Sequence, residues 1–588
     1  MRQPTTTPGS SQHGAHRAGL RAVVLIGSLF LLAASPVPDS LRTGPASALD
    51  AQLGLFRMDE LRLATGRCRD CATIRQALWY FADETIASAR PGIPVAGFTR
   101  GVTAWDDLRQ WAAIHPLDAK PDAPPLLWIG APAIVRGAEL SADGRILRTE
   151  GNRWAFGRVP KIELNRSYYD QSSTEFFAGR RLSLRGEARD GTFTARTIWP
   201  EEFRLDLDAP LRPIASTPEA LRGLIRAEPR GGAQSPFAAV TLWERTPGAA
   251  RHWRGAPVLA AMLNGAQGDD DEAHAGHFAL ITGRVPDDGA IGDWIVDNFY
   301  TLDSESEKGI LAAMVPLDSY LTDLNSGQAW YRPSYLVLAV LKRERAADRV
   351  QSAFERTYNQ FYRHQLVYRH TTMNCASISV DVLRTLGWNV PARGATSWLA
   401  GALGLPYFVV QNRSVQKAGE AFDYLTEDQT RLLPAAAFEE IGADLLNLAR
   451  GTLPRQPTEL EAALAEDLEA IVYLRVPQLP SSRAWGDFPI ATPWEYRDRY
   501  PRDPAQAKII PVPARPFPAG LRDDDLLAPP HDRSEIAIAL WAIVTVVGIP
   551  WLLWRWWRRT KNSGGPGARS VFAAAASEPS RGDAPTPR

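Results

Sequence analysis

Cysteine is scarce in this chain. Three cysteines in 588 residues are too few to staple a disulfide-built scaffold. Net charge is absent as well: 66 Lys and Arg stand against 66 Asp and Glu, which argues against a nucleic-acid binder working through a global basic field. There is no phosphate-binding P-loop, no dinucleotide fingerprint and no internal repeat, so a nucleotide site has no support. What is present is an ordinary globular composition, 45% hydrophobic and 22% charged. It is spread over a chain too long for one compact core.

The two ends differ from the body. Arg17 and Arg21 precede an apolar run from Ala22 to Ala34, the length of a signal-peptide h-region and short for a spanning helix. Ala46-Ser47-Ala48 fits a cleavage site, so residues 1–48 are expected to be a signal peptide, with an uncleaved anchor as the alternative. Ile536 to Trp554 carries no charge and is long enough to cross a bilayer. Trp551, Trp554, Trp556 and Trp557, beside Arg555, Arg558, Arg559 and Lys561, would form an aromatic belt with a cytoplasmic basic rim. Residues 534–556 therefore read as a transmembrane helix and 557–588 as a disordered cytoplasmic tail. Both ends are basic, so the neutral total conceals an acidic body.

The body is expected to be α+β. Residues 49–125 read as helical, for example Ile74 to Ala87, ending near Pro91-Gly92. Residues 126–210 read as β-rich: Ile134–Leu140 and Arg145–Thr149 flank Ala142-Asp143-Gly144, and Leu182–Glu187 and Thr192–Trp199 flank Arg189-Asp190-Gly191. A small barrel or sandwich follows, with the oligonucleotide/oligosaccharide-binding type as one form. Its arginines (Arg180, Arg181, Arg185, Arg189, Arg196) read as a solvated face, with anionic lipid or glycan as the functional alternative. Residues 211–450 mix strands and helices and carry the chemistry. In 451–533 an acidic helix from Leu460 to Ile471 gives way to a proline-rich linker around Ile509–Pro518.

Cys68 and Cys71 form a C-x-x-C, for which a disulfide, structural or redox, is the first reading in an exported chain. A metal site would need two further ligands, and haem attachment would need His where Ala72 stands. Neither a metal nor another cofactor is expected. Cys375 is left over. Asn374 reads as the N-cap of a helix ending at Gly387, with Ile378, Val382, Leu383 and Leu386 towards the core. Cys375 then occupies the first helical position, where the dipole and free N–H groups favour a thiolate and can hold an oxyanion. A buried structural thiol is the plainer alternative.

A thiol nucleophile needs a base with an orienting partner. His277 opens a strand that runs to Val285, and Trp294–Tyr300 is the next strand. An antiparallel hairpin brings Asp297 or Asn298 to His277, depending on register. The acidic run Asp269–Glu272 with His274 and His277 offers metal ligands but lacks fixed spacing, and an exposed loop is the simpler reading.

In this order the motifs resemble a circularly permuted papain-type fold, as in NlpC-related hydrolases and lecithin:retinol acyltransferase. More closely they resemble the Lnb-type N-terminal periplasmic domain of bacterial envelope proteins. The likeness spans roughly residues 235–390 and rests on Gly276-His277, Asn298, Tyr368, Asn374-Cys375 and Asp381. It departs where Asn298-Phe299-Tyr300-Thr301 lacks a glycine and where Ala275 replaces a bulky residue. The resemblance implies a papain-like catalytic domain at 211–450, anchored in a bacterial inner membrane with its bulk in the periplasm. It implies Cys375 as nucleophile, His277 as base, Asn298 or Asp297 as orienting group, and Asn374, Gly276 and Tyr368 around the substrate or oxyanion. The activity implied is thiol-dependent acyl transfer on envelope lipid or lipoprotein. The expected partners are the lipid membrane and bacterial lipoproteins or phospholipid, and no nucleic acid. A periplasmic amidase or peptidase, or a catalytically silent envelope scaffold, are the alternatives.

Overall fold

Seven strands in antiparallel succession form the sheet at the centre of the computed structural model. It describes residues 52–57, 64–65, 85–90, 92–99, 101–119, 123–127, 130–161, 168–226, 235–265, 276–300, 312–362, 365–395, 397–481 and 549–562.

A five-stranded barrel precedes the sheet in the chain. It consists of β1 (Ala133–Leu140), β2 (Ile146–Thr149), β3 (Asn152–Arg158), β4 (Arg181–Arg189) and β5 (Thr192–Pro200). Both expected hairpins form. Asp190 and Gly191 take the positive φ values (50° and 74°) that a two-residue turn with the strands' own twist demands. The strand absent from the sequence reading is β3. It pairs in parallel with β5 and closes the barrel in the order β1-β2-β3-β5-β4. Gly186 sits where the β4–β5 register shifts, and a Cβ there would lie 2.2 Å from the Thr194 carbonyl oxygen. The bulge therefore requires glycine.

The sheet comprises β6 (Ala238–Glu244), β7 (Pro257–Asn264), β8 (His277–Arg284), β9 (Ile295–Asn298), β10 (Ala313–Pro316), β11 (Ser334–Leu341) and β12 (Leu468–Val476). Their order is β6-β12-β11-β7-β8-β9-β10. Alternate residues face opposite layers. Leu259, Ala261, Leu263, Val337 and Ala339 pack with helices α1 (Arg345–Tyr362), α2 (Cys375–Thr385) and α3 (Pro434–Arg450). Val258, Ala260, Met262, Leu336 and Leu338 belong to a second core shared with the barrel interior, including Leu182, Leu184 and Phe193.

Several expectations need correction. Within 49–125 the described chain is partly strand: Leu53–Arg57 pairs antiparallel with Thr85–Ala89, so the end of the expected Ile74–Ala87 helix is extended. Residues 71–84 lie outside the described residues. A helix does form at Ala104–Ile114, capped by the Thr103 side chain. The acidic helix stops at Asp467, and Leu468–Val476 is an inner strand between β6 and β11, so the sheet domain extends beyond residue 450.

The barrel arginines are not uniformly solvated. Arg185 pairs with Asp318 at 2.7 Å and Arg196 with Asp323 at 2.7 Å, both largely buried ties between barrel and sheet domain. The signal peptide, Cys68, Cys71 and the linker at 482–533 lie outside the described residues. So does the expected span up to residue 548, and Ile549–Asn562 is helical. No helix among the described residues is long and apolar enough to cross a membrane.

Candidate functional site

Asn374 begins α2 as the sequence predicts. Its Oδ1 accepts from the N–H groups of Ala376 (3.0 Å) and Ser377 (3.1 Å), while Ser377 Oγ returns to the Asn374 N–H. Its Nδ2 donates to the carbonyls of His370 (3.0 Å) and Leu432 (2.9 Å). The whole amide is thus occupied in fixing the helix start, and Asn374 positions Cys375 rather than offering an oxyanion donor. Further along α2, Asp381 is clasped by the Arg431 guanidinium at 2.8 and 2.7 Å.

Cys375 is buried at the first position of α2. Burial pushes its thiol above the ordinary value. Hydrogen bonds from the Phe278 N–H and the Tyr368 hydroxyl, the charge of Arg332 and the Ala376 N–H oppose that rise without cancelling it. The expectation of a thiolate favoured by the helix start is therefore reversed. Desolvation at this depth outweighs the dipole, and the resting group is a thiol.

Gly276 enters β8 with φ +84°, a left-handed turn that glycine adopts without a Cβ penalty. It sets His277 at the first position of the strand, buried, with Nε2 2.6 Å from Asn298 Oδ1. An amide oxygen accepts, so Nε2 carries the proton and the lone pair lies on Nδ1. The register Leu280↔Asp297 places Asn298 on the His277 face and Asp297 on the other. Asp297 is therefore not the orienting group. Neither of its carboxyl oxygens has a hydrogen-bond partner, and burial pushes its pKa well above the carboxylate range. Glu355 of α1 shares that side; burial and then the Asp297 charge push it up too.

Cys375 and His277 are brought into one cluster. The backbone N–H of Phe278, the residue after His277, is near enough to bear on the thiol. The Tyr320 ring stacks 6.5 Å from the imidazole and lies within electrostatic reach of Cys375. On the other side, the Tyr300 ring stands 6.2 Å from His277 and 5.6 Å from Tyr368.

Two further residues were missed from the sequence. Asn264 lies directly across from His277 in the sheet, accepts from Tyr320 Oη at 2.5 Å and donates to Ser334 Oγ at 2.7 Å. Arg332, 1% exposed, is held by Gln328 Oε1 and bears electrostatically on both Cys375 and Tyr320. The signal for Arg332 was available: a guanidinium set among Trp330, Tyr331 and an apolar strand must be buried, and buried charge needs a reason.

Among the described residues no group of three or more His, Cys, Asp or Glu is placed to hold a metal ion. A separate open cavity of about 780 Å³ on the barrel, lined by Arg145, Arg158, Lys161 and Tyr168 among others, includes none of the cluster. No protein-family model, curated protein or solved structure matches the chain.

Proposed function

We propose that the chain is a membrane-anchored, thiol-dependent acyl-transfer enzyme of the bacterial periplasm, acting on envelope lipid or lipoprotein through a papain-like Cys375–His277 pair. The observation that carries this reading is the shared buried cluster: a helix-start thiol lies beside the backbone of the residue that follows a histidine whose tautomer an asparagine fixes. Because burial keeps Cys375 protonated, its proton must pass to His277 Nδ1 as Sγ attacks the carbonyl of an ester or amide. The tetrahedral intermediate collapses to an acyl-thioester on Cys375, and the departing alcohol or amine takes the proton from His277. An amine acceptor then receives the acyl group and its own proton goes to His277, regenerating the thiol. The capping bonds leave out the Cys375 N–H, which serves as the oxyanion donor, with Arg332 supplying positive potential.

The depth of the pair favours transfer over hydrolysis. Cys375 and His277 are each 3% exposed, and a site that excludes water protects an acyl-enzyme from it. A fluorescent acyl-thioester probe tests the nucleophile: labelling of the wild type and its loss in a folded Cys375→Ala protein are expected. Labelling that persists in Cys375→Ala contradicts the assignment. With the trapped acyl-enzyme, release by a primary amine faster than by water supports transfer; equal release makes the enzyme a hydrolase.

A further inference from the structure

The helix Trp398–Asn412 has the sequence WLAGALGLPYFVVQN, fifteen residues without a charge. Ser397 caps it, accepting from the Ala400 N–H at 3.0 Å. Its inner face is packed: Gly401 and Leu405 are buried, and a Cβ on Gly401 would meet Thr426 Cγ2 at 2.9 Å, so the helix lies close against Val415–Thr426. The outer face is just as apolar, and among the described residues nothing covers it. Leu399, Leu403, Tyr407 and Val410 are 69, 60, 63 and 78% exposed, and their spacing places them within about 80° of one another around the axis. Trp398, 64% exposed, stands at the N-terminal end with its ring edge-on to Phe422. A stripe of this kind on a water-facing helix marks an interaction site.

We infer that this stripe inserts into the surface of a lipid bilayer, with the helix lying in the interface plane. The inference rests on the reading that residues 536–554 hold the chain at a membrane, and two features single out lipid as the occupant. First, the four stripe residues carry no charge, and the exposed Arg413 just past the helix end is a cation of the kind that meets lipid headgroups. The face also carries Tyr407, and Trp398 stands at its N-terminal end; both are side chains that prefer the boundary between headgroups and acyl chains. Second, the described body ends at Ser481 and the uncharged run begins at Ile536. Only 54 residues of sequence separate the two. The body is thereby kept at a high effective concentration over the membrane, where weak insertion of one helix face suffices. The stripe also belongs to the site's own neighbourhood. The Ser397 N–H donates to the Leu425 carbonyl, and past that second helix the Leu432 carbonyl accepts from Asn374, the cap of the thiol helix. Docking this face would bring the Cys375 cluster to the surface from which an acyl donor must come.

The test uses the full chain in vesicles of three parts phosphatidylcholine to one part phosphatidylglycerol, made with plain or with brominated acyl chains. An environment-sensitive fluorescent amino acid is placed singly at Leu403, at the exposed turn residue Asp190, and at Val546 in the uncharged run. The inference expects brominated lipid to quench positions 403 and 546 at least twofold more than 190. Quenching at 546 without quenching at 403 overturns the inference and leaves the anchor standing. Quenching at 403 without 546 upholds the inference and removes the anchor. Absence at both overturns the two together. Shielding of 403 that disappears on dilution, with no lipid quenching, assigns the face to a second copy and overturns the inference.

Discussion

At Asn298 the amide oxygen is the acceptor that fixes His277 Nε2–H, and Asn298→Ala removes it. His277→Ala is expected to lower kcat by about 10²–10⁴-fold, the usual contribution of a positioned general base. Asn298→Ala should cost less and move the acid limb of the pH–rate profile, because the tautomer is no longer held; an unmoved profile would make Asn298 merely structural. Asn374→Ala tests the cap: a loss of about 0.5–2 kcal/mol in denaturant unfolding is expected, with Cys375 alkylation becoming faster as the helix start frays. Asp297 supplies a prediction of definite sign. Its folded pKa is raised by burial, so above about pH 4, the ordinary carboxylate value, the unfolded chain releases a proton that the native chain retains. Stability then declines with rising pH up to the native pKa. Relative to Asp297→Asn, the wild-type Tm should therefore fall as the pH rises above about 4 towards the raised native pKa, and a difference that does not vary with pH contradicts a buried, protonated Asp297.

Among the elements, β12 decides how far the sheet domain extends. Leu474 is fully buried in the second core, and Leu474→Ala should cost about 2–5 kcal/mol by chemical denaturation. A cost below 1 kcal/mol would place this segment outside the core. The sequence reading missed β12 for a physical reason. Both faces of the strand are covered, so LEAIVYLRV shows no alternation, and a short continuous apolar run is indistinguishable by periodicity from the tail of the helix before it. In Thr85–Ala89 the β-branched pair Thr85-Ile86 is followed by the small residues Ala87, Ser88 and Ala89, too short a signal by itself, and the strand is set by pairing with Leu53–Arg57, some thirty residues upstream. The elements that were legible have local causes: the Asn374 cap, the Asp190-Gly191 turn and the His277 strand after Gly276. The candidate site was legible to the same extent. Cys375, His277 and Asn298 sit at element ends with sequence signals, whereas the choice of Asn298 over Asp297 needed the register, and Arg332 and Asn264 needed the tertiary fold.

In the whole molecule, barrel, sheet and helices share two continuous cores across one sheet. The buried pairs Arg185–Asp318 and Arg196–Asp323 join the barrel to the segment after β10. A chain ending at Arg450 should fail to fold, because the sheet loses an inner strand, whereas one ending at Ser481 should unfold in a single cooperative transition. Cooperative folding of the shorter chain would contradict the sheet order. The account as a whole stands on Cys375 becoming acylated, and the most direct measurement is peptide mass spectrometry of the full-length protein after incubation with phospholipid vesicles and no amine acceptor. The tryptic peptide from His370 to Arg384 contains the thiol. The predicted result is a hydroxylamine-labile acyl adduct on that peptide at Cys375, formed slowly in His277→Ala and absent in Cys375→Ala. An unmodified Cys375 in protein that nonetheless turns over the lipid, or an adduct borne elsewhere on the chain, would contradict it.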